Sequence, residues 1–198
     1  MYSKLDIKNI FKQHKKTFLG NDNKMLFNEK IAFVYLPIIL SLFISYCNIL
    51  NNNIQNILSI CLSILIGLLL NLLILIISNL ATKGLSLSNQ KRRVELIEET
   101  FFNIAFSIVL CILGLINLIL INIFVIDNSI IFKYHYYSIN LDLNIIIQFI
   151  LSSILYFLSF QIFLTLFIIL KRIVKIFQVD IDLESKKIKK KEKKEIKS

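Results

Sequence analysis

The sequence predicts an all-α fold: a polytopic membrane protein built as a four-transmembrane-helix bundle, with N- and C-termini cytoplasmic. Three observations carry this. Of 198 residues, 56% are hydrophobic and 18% charged, more apolar surface than a soluble domain of this size can cover. The charges are also segregated: residues 31–82, 100–126 and 143–170 are blocks of 52, 27 and 28 residues without one Asp, Glu, Lys or Arg, as burial in hydrocarbon demands. Lys and Arg number seven before residue 31, four between the second and third expected spans and eleven from Lys171 onward, with only Lys133 elsewhere. Four crossings put all but one of them on a single side, which the positive-inside rule makes the cytoplasmic side.

Residues 1–30 form a basic cytoplasmic segment. Within 4–18, Ile7, Ile10, Phe11 and Phe18 share one helical face, with Lys8, Lys12, Lys15 and Lys16 mostly around the other. This is the pattern of an amphipathic helix lying on the inner leaflet; docking onto a protein partner is the alternative. A cleaved leader is not expected, because this hydrophilic stretch precedes the first apolar run.

The transmembrane domain covers 31–170. As one helix, residues 31–82 would be about 78 Å long, against a hydrocarbon core of about 30 Å. The block must therefore fold back, and the polar run 51–56 (Asn-Asn-Asn-Ile-Gln-Asn) is the expected turn. Spans are expected at about 31–50, 57–82, 101–126 and 145–170. On the outer side, 127–144 offers Phe132, Tyr134, Tyr136 and Tyr137 as a headgroup-level aromatic belt, with His135 as an interfacial polar residue among them. The three cysteines, Cys47, Cys61 and Cys111, lie in or beside spans without disulfide or zinc spacing, and read as helix-packing residues.

The loop 83–99 carries Lys91-Arg92-Arg93 ahead of Glu95, Glu98 and Glu99, and reads as a helix running into span three. Lys91 and Glu95 can pair one turn apart. A basic helix start opposes the helix dipole, so Lys91, Arg92 and Arg93 are candidates for contacts with lipid headgroups or a partner, as are Lys171 and Arg172 below span four. Residues 171–198 are expected to extend the fourth helix through Phe177 and end in a Lys-rich disordered tail from 185 to 198. Membrane lipid is its nearest polyanion, and nucleic acid is an unlikely partner. An AT-rich genome would also produce this excess of Ile, Asn and Lys.

Polar stripes run along the spans. Ser59, Ser63, Gly67 and Asn71 recur every fourth residue in span two, with Ser78 on the same side; Asn103, Ser107, Cys111, Gly114 and Asn117 share a face of span three. Span one has Pro37, Ser41, Ser45 and Asn48. Span four has Gln148, Ser152, Tyr156 and Ser159 on one line and Gln161 with Thr165, down to Arg172, on another. Such residues either pack helices closely and hydrogen-bond across the contact, or line a polar path in an assembly of several copies, gated by neighbouring Leu and Ile. The second line on span four leaves a face for neighbouring subunits, so a homo-oligomer is expected.

Several classes lack their residues. No Asp, Glu, His, Lys or Arg lies in the spans to couple transport or to activate Ser or Cys, and no nucleotide, cofactor or metal motif is present. The chain therefore reads as non-enzymatic, with no cofactor.

The segments Phe102-Asn103-Ile104-Ala105-Phe106-Ser107, Leu164-Thr165-Leu166 and Leu170-Lys171-Arg172 resemble, in layout, the small four-helix membrane effectors of bacterial anti-phage defence systems. The resemblance implies an oligomer in the bacterial inner membrane that permeabilises or depolarises it when a separate cytoplasmic sensor signals infection. The competing reading is a membrane anchor, or an immunity or superinfection-exclusion protein, that binds a partner without forming a pore.

Overall fold

The computed structural model describes residues 7–16, 31–47, 50–78, 87–124 and 143–195, and among them only Leu50 and Asn51 are not helical. Helix α1 is Ile7–Lys16. A π-helical turn at Ile31–Tyr35 leads into α2, Leu36–Cys47. Helix α3 is Asn52–Ser78, α4 is Leu87–Phe124 and α5 is Leu143–Glu195. Three stretches, Asn52–Ser78, Arg93–Ile123 and Ile145–Asp182, are long and apolar enough to cross a membrane, and the apolar helix Ile31–Cys47 is shorter.

The start of α2 follows from one residue. Pro37 has no N–H, so the Phe33 carbonyl, four residues back, has no α-helical donor. Gln161 Nε2 of α5 donates to that oxygen at 2.6 Å. Twelve residues on, Ser45 Oγ donates to the Phe149 carbonyl at 3.0 Å. The two bonds fix α2 antiparallel to α5.

The turn before α3 is tighter than the expected 51–56, because the helix begins at Asn52. Asn51 is its N-cap: its Oδ1 accepts from Ile54 N at 2.9 Å, and its carbonyl accepts from Gln55 N at 3.1 Å. Gln55 Nε2 in turn donates to the Leu50 carbonyl at 3.3 Å. A single line of residues at seven-residue spacing, Gln55, Leu62, Leu69 and Ile76, buries α3 against the rest of the chain.

Helix α4 is central, packing against α3, α5 and α1, while α2 packs on α5. As predicted, the charged segment before span three is helical from Leu87 onward, continuous with the apolar part. Neighbours run antiparallel: Leu62 of α3 meets Gly114 of α4, and fourteen residues later Ile76 lies beside Ile97 and Arg93. Along α4 and α5, Asn117 meets Leu151 at one end and Arg93 meets Asp180 at the other. Ile104, Cys111, Ile121 and Leu155 form the most deeply buried part of the core.

Helix α5 differs from expectation at its end. It continues through Glu195, past Ser185 where a disordered tail is expected; the run of Lys and Glu contains no Gly or Pro to end it. The aromatic residues 132–137 with His135, together with Phe18 and Asn48, lie outside the described residues.

Candidate functional site

The polar stripe of α4 is turned inward. Asn103, Ser107, Cys111, Gly114 and Asn117 are all buried within the chain. Asn117 Nδ2 donates to the Leu151 carbonyl of α5 at 2.9 Å. Gly114 sits where α3 passes closest: a Cβ there would stand 3.0 Å from Leu62 Cδ1. The stripe therefore joins helices of one chain, and it does so through the features that make small and amide side chains useful in lipid.

At Asn103 the stripe meets α1. His14 lies on the apolar face of α1 with Ile10 and Phe11, seven residues after Ile7, and is only 9% exposed. Its Nδ1 stands 2.8 Å from Asn103 Oδ1; a carbonyl oxygen accepts, so the ring donates through Nδ1. The imidazole stacks on Phe106, with centroids 3.7 Å apart and planes 15° apart, and Phe11 meets the same ring edge-on at 5.1 Å. Burial pulls the His14 pKa from 6.5 down to about 4; the Asn103 hydrogen bond works against that shift and the Arg172 guanidinium adds to it. The docked ring is thus neutral at neutral pH. The inner-leaflet helix expected from the sequence is in the structure an element packed on α4, with Ile7 and Phe11 still partly exposed beside it.

Two ion pairs tie α4 to α5 at this same end. Arg93 Nε and Nη2 meet Asp180 Oδ1 and Oδ2 at 2.9 and 3.1 Å, and Arg172 Nη1 meets Glu99 Oε2 at 3.2 Å. Arg93 and Arg172, expected at lipid headgroups or a partner, make these contacts within the chain. The reason is the length of α5, which carries Asp180 alongside Arg93. Lys91 and Lys171 are exposed, and the Arg92 side chain lies outside the described residues. Replacement of such pairs by apolar residues is often neutral, whereas removal of one partner is costly, so they hold register more than they add stability. Beside the Arg93–Asp180 pair, Leu72, Ile76, Ile97, Ile173 and Phe177 line a cavity of about 50 Å³.

The stripe of α3 points the other way. Ser59 is half-buried at its flank, and Ser63, Gly67, Asn71 and Ser78 are exposed on the chain's outer surface. At about 100° per residue, Asn71 lies about 180° around the helix from buried Leu62. Ser63 Oγ bonds its own helix at the Ser59 carbonyl, 2.8 Å away. A Cβ on Gly67 would meet nothing within 4 Å. On α5, Gln161 is spent on Phe33, and buried Thr165 bonds back to the Gln161 carbonyl at 2.7 Å.

The predicted candidates thus divide: Asn103, Ser107, Gly114, Asn117, Gln161 and Thr165 come together inside the bundle, and Ser63, Gly67 and Asn71 do not. His14 is the residue that sequence reasoning missed. Its signal was its place on the apolar face of α1, where a polar side chain needs a partner. Among the described residues no three His, Cys, Asp or Glu side chains gather as a metal site. No protein-family model, curated protein or solved structure matches this chain.

Proposed function

We propose that the chain is a four-span protein of the bacterial inner membrane, with both termini cytoplasmic, that acts as a non-enzymatic, homo-oligomeric, channel-like effector. The observation that carries this reading is the outward polar face of α3. Asn71 lies one turn from the centre of the apolar run 57–77, faces away from its own chain, and makes no hydrogen bond with a described residue. In hydrocarbon an amide without a partner is costly. A neighbouring subunit supplies that partner, and the Ser63 and Gly67 positions let its backbone approach closely. Several copies meeting along such faces enclose a polar line that exposed Ile64, Leu68 and Leu75 can close by dewetting.

Four crossings are supported by the alternating directions of α2 to α5, and a cytoplasmic charged end by the positive-inside rule. At that end, α1, the two ion pairs and the C-terminal part of α5 form the surface on which a separate sensor would act. The resemblance to anti-phage effectors supplies the setting: loss of membrane potential once infection is sensed.

The test is expression in bacteria with a potential-sensitive dye and a membrane-impermeant dye. Depolarisation or dye entry is expected with the native chain. It is expected to be lost in Asn71→Leu, which still inserts. A silent membrane with the inserted native chain at high level, with or without its neighbouring gene product, would sink the channel reading and leave the anchor or immunity reading.

A further inference from the structure

Helix α5 is about 80 Å long by its 53 residues, and the 25 residues from Lys171 to Glu195, about 38 Å, lie beyond its uncharged block. The first charges after its uncharged block are Lys171 and Arg172, which mark where it leaves the membrane. Across that boundary one feature does not change. Phe163, Phe167, Leu170, Val174, Phe177, Ile181 and Ile188 are all exposed, and their spacing alternates between four and three residues, with Glu184 taking the one remaining place before Ile188. This is a heptad seam. Phe167, Val174, Ile181 and Ile188 fall at a, and Phe163, Leu170, Phe177 and Glu184 at d. Lipid can cover Phe163, Phe167 and Leu170. It cannot cover Ile181 and Ile188, which are 66% and 53% exposed and lie about 17 and 27 Å beyond Leu170 along the axis.

We propose that this seam is where a second copy of the chain docks, α5 against α5, as a parallel coiled coil that begins in the membrane and continues into the aqueous phase. The inference rests on the reading of the chain as a membrane homo-oligomer and names the surface involved. The occupant follows from continuity of the register. A helix of a water-soluble partner could cover only Val174 to Ile188, whereas a second α5 crosses the same boundary at the same residue and covers both halves. Copies inserted in one membrane share an orientation, so their α5 helices are parallel. β-branched residues at the three extramembrane a positions suit a parallel dimer. By sequence position Lys187 falls at g and Glu192 at the next e, opposite charges in the parallel pairing. The face is distinct from the one already used: Ile173, Ile176 and Asp180 line the cavity between α5, α4 and α3, and Phe177 borders both. By sequence position Glu184 and Lys191 fall at successive d positions, where like charges across the pairing weaken it.

The experiment is a cysteine scan of the full-length chain in lipid nanodiscs or native membranes, in a background with Cys47, Cys61 and Cys111 replaced by Ala. Crosslinked dimer is expected at Val174→Cys, Phe177→Cys and Ile181→Cys, at about ten times the yield of Lys175→Cys and Asp182→Cys, which lie at b. Glu184→Leu is expected to raise the dimer fraction, a gain that a misfolded variant cannot give. Equal crosslinking at all five positions, or none, would overturn the seam. So would protection of Val174 to Ile188 that arises only when another protein is present. Particle mass separates this from the broader reading. A particle heavier than a monomer that dissociates on Gly67→Leu, yet lacks the periodic crosslinks, removes the seam and keeps the oligomer; a monomer without crosslinks removes both.

Discussion

Helices α3 and α4 carry nearly the same sequence device and use it in opposite directions. Each sets small and amide side chains at intervals of three or four residues along an apolar helix. In α4 the device is enclosed: Asn117 reaches α5, Gly114 admits Leu62, and Asn103 is covered by His14. In α3 it is left open, because the buried line of Gln55, Leu62, Leu69 and Ile76, flanked by partly buried residues such as Leu65 and Leu72, lies on the opposite side of the helix. The position of a helix in the bundle decides this. A central helix is covered on several sides, and its polar face is filled by its neighbours; a peripheral helix is covered on one side, and a polar face opposite that side stays on the chain's surface.

The largest test of this contrast is pH, because the covered stripe has a titrating lid and the α3 stripe has none. His14 has a docked pKa of about 4 and an undocked value near 6.5. Above about pH 6.5 both forms are neutral and α1 docking has its full strength. As pH falls from 6.5 toward 4, released α1 binds a proton that docked α1 cannot, and docking weakens by about 1.4 kcal/mol per pH unit, to a total of about 3 kcal/mol. A protonated ring would also face Arg172, which is paired with Glu99. Crosslinking between cysteines placed in α1 and α4 is expected to fall between pH 6.5 and 4, and His14→Phe is expected to abolish that dependence. A flat profile in the native chain would show that the ring is not held as described.

The two glycines give the next largest difference. Gly114→Leu forces a side chain against Leu62 where a bare Cβ already stands at 3.0 Å, and overpacking of that kind costs about 2 kcal/mol. Gly67→Leu projects into open space and is expected not to lower the single chain's stability, while blocking a neighbour's approach. Reversible unfolding in mixed micelles measures the first, and the mass of the purified particle measures the second. Equal destabilisation by both would mean that α3 is enclosed after all.

How far the sequence disclosed this arrangement can be judged residue by residue. Charge-free blocks gave the helices, because hydrocarbon excludes charge whatever the packing. Continuity through Arg93 was legible from the absence of Gly and Pro between Ser86 and Asn103. Spacing alone could not tell the inward stripe of α4 from the outward stripe of α3, since both repeat at the helical period and only tertiary neighbours distinguish them. From sequence, Arg93 and Arg172 offer themselves as headgroup or partner contacts, because Asp180 and Glu99 lie 87 residues ahead and 73 residues behind, on a helix pairing that no local pattern encodes. The Gln161 bond to Phe33 was hidden for the same reason, although Pro37 announced that one carbonyl would need a donor.

The smallest effect is also the one that separates the two amides most directly. Asn117→Leu deletes one interhelical hydrogen bond, and such bonds in membrane proteins average about 0.6 kcal/mol with a maximum near about 1.7. A loss of about 1 kcal/mol is therefore expected on unfolding, with oligomer mass unaltered because the Leu151 carbonyl retains its place in α5. Asn71→Leu removes no bond to a described residue, so the single chain loses nothing and only association weakens. The pair forms a crossed design, in which each substitution moves one observable and leaves the other fixed. Unfolding and particle mass measured on the same two preparations would show the crossing. If Asn71→Leu instead lowered the unfolding free energy by as much as Asn117→Leu, Asn71 would have a partner within its own chain, and the outward face of α3 would no longer call for a neighbour.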